Sequence, residues 1–406
     1  MLGNSLAFFI FDNNVYNIKK DNYRWIGEIR MKEISLYIHI PFCKQKCFYC
    51  DFPSFAGKEK YRDDYIKALC KEIENRAAGY IIRSIFIGGG TPSYLEAAEI
   101  EKLLSTVNKL KFKEGMEFSM ECNPGTISKE KFIAMKNGGV NRLSFGLQST
   151  DNKMLKKIGR IHTYEEFLEN YNLAREIGFN NINVDLMYGL PDLTVETWTK
   201  TLNDICHLKP EHISAYSLII EEGTAFYTLY EKDKLELPSE DDERIMDKLT
   251  KEILKNNGYH QYEISNYSRD GKECEHNKVY WKLEEYIGTG SSASSYIDGE
   301  RITNKISIKD YIDAINNDGT AEADRYKNSQ EDEMEEFMFM GLRLKRGISK
   351  RRFKEKFNEN IESIYKQAID KNIKRGLLYE DDENIALTDL GMDFSNDVMS
   401  DFIFEK

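Results

Sequence analysis

The chain has 406 residues, 41% of them hydrophobic, enough for a large core and for two or three domains. Its formal net charge of −12 argues against a nucleic-acid binder, which carries a basic face. No apolar run approaches the ~20 residues of a membrane helix, and an odd set of seven cysteines without a secretory leader points to a reducing cytoplasm rather than a disulfide scaffold.

Residues 1–30 read apart from the rest. LAFFIF, Leu6 to Phe11, is too short for a signal-peptide core, and its flanks are acidic and Asn-rich. Gly27-Glu28 is encodable by a ribosome-binding sequence, so a start at Met31 stands level with a genuine extension. No function is placed before Met31.

Six short runs then have strand character: ISLYIHI (34–40), SIFIG (84–88), EFSMEC (117–122), RLSFGL (142–147), INVDLM (182–187) and HISAYSL (212–218). Helical periods lie between them. Residues 60–78 set Tyr65, Leu69 and Ile73 on one face. Residues 164–177 open on a capping box, Thr163 to Glu166, and align Phe167, Tyr171 and Ala174. Residues 241–257 align Ile245, Leu249 and Ile253. This rhythm means parallel βα units, either part of a TIM-like barrel or an open doubly wound sheet. Each run ends in unusual chemistry: Cys43, then Gly88-Gly89-Gly90-Thr91-Pro92, then Glu121-Cys122-Asn123-Pro124, then Gly146-Leu147-Gln148, then Asp185, then Ala215-Tyr216-Ser217. βα barrels build their sites at such strand ends. The expected fold is α/β, a partial (β/α)6 TIM-like barrel over residues 31–265.

Past residue 265 the rhythm stops. Residues 266–330 are polar and turn-rich, with GTGSSASS at 288–295, and are expected to be a linker region. Residues 331–345 form a helix whose stripe of Met334, Phe337, Met338, Gly341 and Leu342 reads as core. Helices at 349–358 and 360–374 and a hairpin in LLYEDDENIALT suggest a C-terminal α+β, winged-helix-like domain over 331–406. That shape alone does not imply DNA binding.

CKQKCFYC puts Cys43, Cys47 and Cys50 at spacing C-x3-C-x2-C. Zinc ribbons offer two C-x2-C pairs, and no second pair exists here. A [4Fe–4S] cube takes four ligands, so three thiolates leave one iron open to a non-protein ligand. The glycines of GGGTP let backbone approach a ligand closely, though a tight turn also uses glycine.

With Tyr49 just before the third cysteine, the motif resembles the radical S-adenosylmethionine (SAM) superfamily. There the open iron binds SAM and one electron cleaves it to a 5′-deoxyadenosyl radical. YIHIPFC (37–43), GGGTP (88–92), ECNPGT (121–126), FGLQS (145–149), GRIH (159–162), NVDLMYGLP (183–191), SAYSL (214–218) and GLRL (341–344) resemble the oxygen-independent coproporphyrinogen III oxidase family. The resemblance implies that Cys43, Cys47 and Cys50 hold the cluster. It implies that Tyr37, Tyr49, Gly89, Gly90, Thr91, Glu121, Gln148, Arg160, Asp185 and Ala215 contact SAM. Carboxylates suit ribose hydroxyls or the ammonium, and Arg160 suits the SAM carboxylate.

The decarboxylating members resemble C-x3-C-x2-C-x-C, whereas this chain has Phe52 at the fourth position. Asp51-Phe52 instead resembles the family's haem chaperone branch, as does HNKVYW, His276 to Trp281. There the histidine is implicated in haem binding, and imidazole is a common axial ligand. The plain alternative is a hydrogen-bonded His-Asn turn beside a buried Trp. Cys274 is a competing ligand, and the absence of C-x-x-C-H argues against covalent haem.

The expected function is therefore a haem carrier that delivers haem to apo-haem proteins, with a SAM-liganded cluster and a reducing electron donor. The expected partners include no nucleic acid and no membrane span, and an oligomer is compatible. Oxidative decarboxylation of coproporphyrinogen III is the second reading. A radical-SAM methyltransferase or haem-degrading relative is a third.

Overall fold

The computed structural model describes residues 31–404 and, before them, the backbone of two short strands, Ile10–Phe11 and Asn14–Val15, which pair antiparallel. The extension expected over residues 1–30 otherwise lies outside the described residues.

Strands and helices alternate as β1 (Glu33–Ile40), α1 (Arg62–Ala77), β2 (Ile81–Gly89), α2 (Ala97–Val107), β3 (Lys111–Cys122), α3 (Lys129–Asn137), β4 (Arg142–Gln148), α4 (Tyr164–Ile177), β5 (Ile182–Tyr188), α5 (Val195–Leu208), β6 (His212–Ser217) and α6 (Glu240–Asn256). The six strands pair parallel in sequence order. A doubly wound sheet reverses order at a switch point. This one does not, so the winding is TIM-like.

Strand alternation explains both faces. Ile34, Leu36, Ile38 and Ile40 of β1 are buried in the core with Tyr65, Leu69 and Ile73 of α1. The other face carries small polar residues: Ser35, Ser84, Ser119, Ser144, Asn183 and Ser214, one per strand and all buried. A barrel interior filled by Val and Ile would be a packed core. Here the interior is polar and leaves room at the strand ends.

The capping box of α4 forms as its residues require. Thr163 Oγ1 accepts the Glu166 N–H at 3.3 Å, and Glu166 Oε2 accepts the Thr163 N–H at 2.8 Å. The expected phase of α6 is displaced by one residue. Its buried face is Met246, Thr250 and Leu254, and Ile245 is 45% exposed. Trp198 of α5 sets this phase by donating its indole N–H to Met246 O (3.2 Å) and Thr250 Oγ1 (2.9 Å).

Residues 266–330 are not a linker. β7 (Asn266–Ser268) pairs antiparallel with β6, extending the sheet beyond its last parallel strand. After helix α7 (Glu275–Trp281), β8 (Tyr286–Thr289) pairs parallel with β1. β9 (Ser294–Ile297), β10 (Glu300–Asn304) and, past helix α8 (Ile308–Asp318), β11 (Glu322–Lys327) continue as an antiparallel meander. Buried Glu72 of α1 holds this extension. It accepts from the Gly290 N–H (2.8 Å), Asn304 Nδ2 (2.8 Å) and the Tyr311 hydroxyl (2.7 Å).

The C-terminal segment contains α9 (Gln330–Leu342), α10 (Lys350–Phe357), α11 (Ile361–Lys374) and the hairpin β12 (Leu378–Glu380) and β13 (Asn384–Leu387). Met334, Phe337, Met338, Gly341 and Leu342 of α9 are buried. They share one core with Val279, Leu283, Tyr286 and Tyr296, so this α+β part is packed onto the strand extension.

Candidate functional site

A cavity of about 2060 Å³ opens at the C-terminal ends of the barrel strands and runs to the C-terminal segment. Pockets for one small ligand hold roughly 300–1,000 Å³, so there is room for more than one. Cys43, Cys47 and Cys50 line it, with Tyr37, Tyr49, Gly89, Gly90, Thr91, Glu121, Gln148, Arg160 and Asp185. Ala215 does not. It is buried, and its N–H donates to Ser265 O at 2.8 Å, between Ser214 and Tyr216, which do line the cavity.

The cysteine loop is pinned from several sides. Phe48 N–H donates to Ile158 O (3.1 Å), and Phe48 O accepts the Phe226 N–H (2.9 Å). Gln45 Nε2 donates to Gly159 O at 3.1 Å. All three cysteines are free thiols. Burial raises the Cys43 thiol, partly offset by the Thr91 hydroxyl, which donates to its sulfur at 3.4 Å. Burial pushes Cys50 up to about 11. Arg160 Nη1 donates to Cys47 Sγ at 3.4 Å, and its Nη2 donates to Gly146 O.

The glycine turn is dictated by crowding. Gly89 has φ +109°, and a Cβ there would sit 2.4 Å from the His39 ring. At Gly90 a Cβ would meet Ile40 O and Phe42 O at 2.9 Å and Cys43 Sγ at 3.1 Å. His39 is itself fixed, with Nδ1 2.9 Å from the Tyr37 hydroxyl and Nε2 2.9 Å from Pro53 O.

Opposite lie two carboxylates. Glu121 Oε2 accepts the Gly89 N–H at 3.1 Å. Burial, then the charge of Asp185, raises Glu121 to about 8. Asp185 accepts from Asn183 Nδ2 (2.7 Å) and the Ser144 hydroxyl (3.3 Å). Burial raises its carboxyl as well. Gln148 has φ +76°, an uncommon conformation for a side-chain-bearing residue, and its buried Oε1 has no partner. Buried carboxylates, a strained Gln with an orphan acceptor, and Arg160 suit a ligand carrying both cationic and anionic groups. With three free thiols on one loop, the donor set fits a cluster with SAM.

His276 stands elsewhere. It is fully buried, with Nδ1 2.9 Å from Ser84 Oγ and Nε2 3.0 Å from the Tyr280 hydroxyl. Burial lowers it to about 3. In this geometry it is a neutral core histidine with both nitrogens occupied, and it offers neither to the cavity. Asn277, Tyr280 and Trp281 of the same motif do line the cavity. Cys274 is likewise sealed, its Sγ donating to Glu117 Oε1 at 3.4 Å.

Arg142, Ser144 and Asn183 also line the cavity, and reading the sequence did not single them out. The available signal was a polar residue inside each of the apolar runs RLSFGL and INVDLM. Arg142 lies 3.9 Å from Glu117, and Asn183 Oδ1 is 2.6 Å from His212 Nδ1.

Residues 37–205 match the Radical SAM superfamily, and residues 328–394 match the HemN C-terminal domain. Barrel, cysteine loop and match agree on the class: a radical SAM protein. The solved coproporphyrinogen III oxidase HemN from Escherichia coli is similar at a TM-score of 0.80 and 25% identity, over 91% of this chain and 90% of that one. The chain is 39% identical over 376 residues to Heme chaperone HemW from Bacillus subtilis (strain 168), covering 91% of this chain and 99% of that protein. It is 34% identical over 394 residues to Heme chaperone HemW from Escherichia coli (strain K12), covering 93% and 100%. The chain belongs to the Heme chaperone HemW family. No helix among the described residues is long and apolar enough to cross a membrane.

Proposed function

We propose that this chain is a cytoplasmic haem chaperone that binds haem and passes it to apo-haem proteins, on a scaffold that also holds a [4Fe–4S] cluster and SAM. The observation that carries the reading is the cavity, which runs past the cysteine loop to Trp281 and Arg343 at the C-terminal segment. That is space for a second, larger ligand beside SAM. The names of the HemW relatives support haem as that ligand.

Cys43, Cys47 and Cys50 would hold the cluster. Glu121, Asp185, Gln148 and Arg160 would orient SAM, with Gly89 and Gly90 allowing close backbone approach. When bound, cluster and SAM together supply one-electron cleavage of SAM, driven by an external reductant. Arg160 holds Cys47 and the Gly146 carbonyl at once, so it fixes the loop relative to β4.

Oxidative decarboxylation of coproporphyrinogen III is the alternative, favoured by the likeness to HemN. Phe52 speaks against it. It stands where the decarboxylating members carry a fourth cysteine, and it is 62% exposed at the cavity's edge.

The test is haem transfer. Protein loaded with haem is mixed with an apo-haem protein, and the acceptor's Soret band is followed. Transfer faster than from free haem supports the reading, and retention of haem by the donor contradicts it.

A further inference from the structure

With His276 closed off, the haem reading leaves the iron without a protein ligand. All six histidines of the chain lie among the described residues. His39, His162, His212 and His276 are buried, and His207 Nδ1 lies 2.6 Å from Asn203 O on its own helix. One histidine lines the large cavity: His260.

Its chemistry suits a ligand role. His260 follows buried Tyr259, whose hydroxyl donates to Pro210 O at 2.7 Å. It opens the short edge strand His260–Gln261. Its Nε2 lies 3.3 Å from Asp270 Oδ1, and its Nδ1 has no partner among the described residues. An imidazole with one nitrogen on a carboxylate and the other open is the usual arrangement of a metal-binding histidine, because the carboxylate fixes ring orientation and raises basicity.

The surroundings suit a flat apolar ring with anionic arms. Leu390 and Phe394 line the same cavity and are each 50% exposed, which leaves apolar surface uncovered. Arg343 and Lys255 line it too, and neither forms an ion pair among the described residues. Arg343 is held over the Trp281 ring at 4.4 Å, with its Nε and the Trp281 Nε1 both buried and unpartnered. The bridge between Glu263 and Leu344 and the Lys345 N–H to Tyr262 O bond (2.9 Å) fix Arg343 against the barrel. Guanidinium and ammonium groups are the natural partners of propionates.

We infer that His260 is the axial ligand of the haem iron, through Nδ1, with Asp270 orienting the ring and with Arg343 and Lys255 receiving propionates. The inference rests on the haem reading above. Without haem, His260 and Asp270 are only a surface ion pair.

Ferric haem titrated into full-length, cluster-reconstituted protein tests it, with Soret difference absorption and electron paramagnetic resonance as readouts. His260→Ala is expected to remove the imidazole-ligated signature and to weaken haem binding at least about tenfold, with free imidazole restoring the signature. Asp270→Asn is expected to weaken binding about tenfold, as for other groups supporting a metal-bound histidine. Because His260 is exposed, iron content and Tm should not change. Saturable binding with wild-type spectrum and affinity in His260→Ala overturns the inference alone. No saturable binding by the wild type overturns the haem reading, and the inference falls with it.

Discussion

Gly89 donates its N–H to Glu121 Oε2 at 3.1 Å, tying the glycine turn after β2 to the end of β3. The contact requires φ +109° at Gly89, with the His39 ring packed where a side chain would begin. Gly89→Ala should therefore cost stability twice: about 1–3 kcal/mol of backbone strain and a similar amount from overpacking. Urea unfolding checks this, and a loss within ±0.5 kcal/mol would show that the turn relaxes freely.

The same carboxyl makes stability depend on pH. Burial first, and Asp185 second, hold Glu121 at about 8 against an ordinary 4.5. The folded chain thus keeps a proton that the unfolded chain has released. Its contribution is full below 4.5 and is lost as pH rises towards 8. Tm should fall across that interval in the wild type and fall less in Glu121→Gln, which stays neutral. Parallel curves would reject the shift.

Cys47 receives a hydrogen bond from Arg160 rather than from backbone. Cys47→Ala should leave the fold intact and abolish cluster assembly, seen as loss of iron and of the broad absorbance near roughly 400 nm expected for such clusters. A full complement of about four irons in the variant would exclude Cys47 as a ligand.

The phase of α6 is testable by a pair of truncations. Met246 is fully buried beneath Trp198, whereas Ile245 is 45% exposed. Met246→Ala should cost about 2–5 kcal/mol, and Ile245→Ala under about 0.5. Equal costs would restore the phase expected from the sequence.

What was legible, and what was not, follows from the range of each interaction. The box at Thr163 and Glu166 is local, and it reads directly from four residues. The six strands read from their own β-branched runs. The start of β3 did not, because KFKEGM is charged and is held by register against Ile81 and Ile82. α6 misled because its apolar residues sit on adjacent stripes, and only Trp198, far off in sequence, chooses between them. Residues 266–330 looked like a linker because their strands are short and polar and take their partners from the other end of the chain, as Tyr286 does from Ser35. His276 was visible as a motif, but its burial was not, since that depends on Ser84 and Phe86 from β2.

The central claim is that this radical SAM frame carries haem rather than oxidising a porphyrinogen. One anaerobic experiment addresses it most directly. Protein with its irons verified is offered coproporphyrinogen III, SAM and a strong reductant, and the same sample is titrated with haem. The account predicts saturable haem binding and no protoporphyrinogen. Protoporphyrinogen formed in step with SAM cleavage would contradict it and would make the chain an oxidase that works with Phe52 in place of a fourth cysteine.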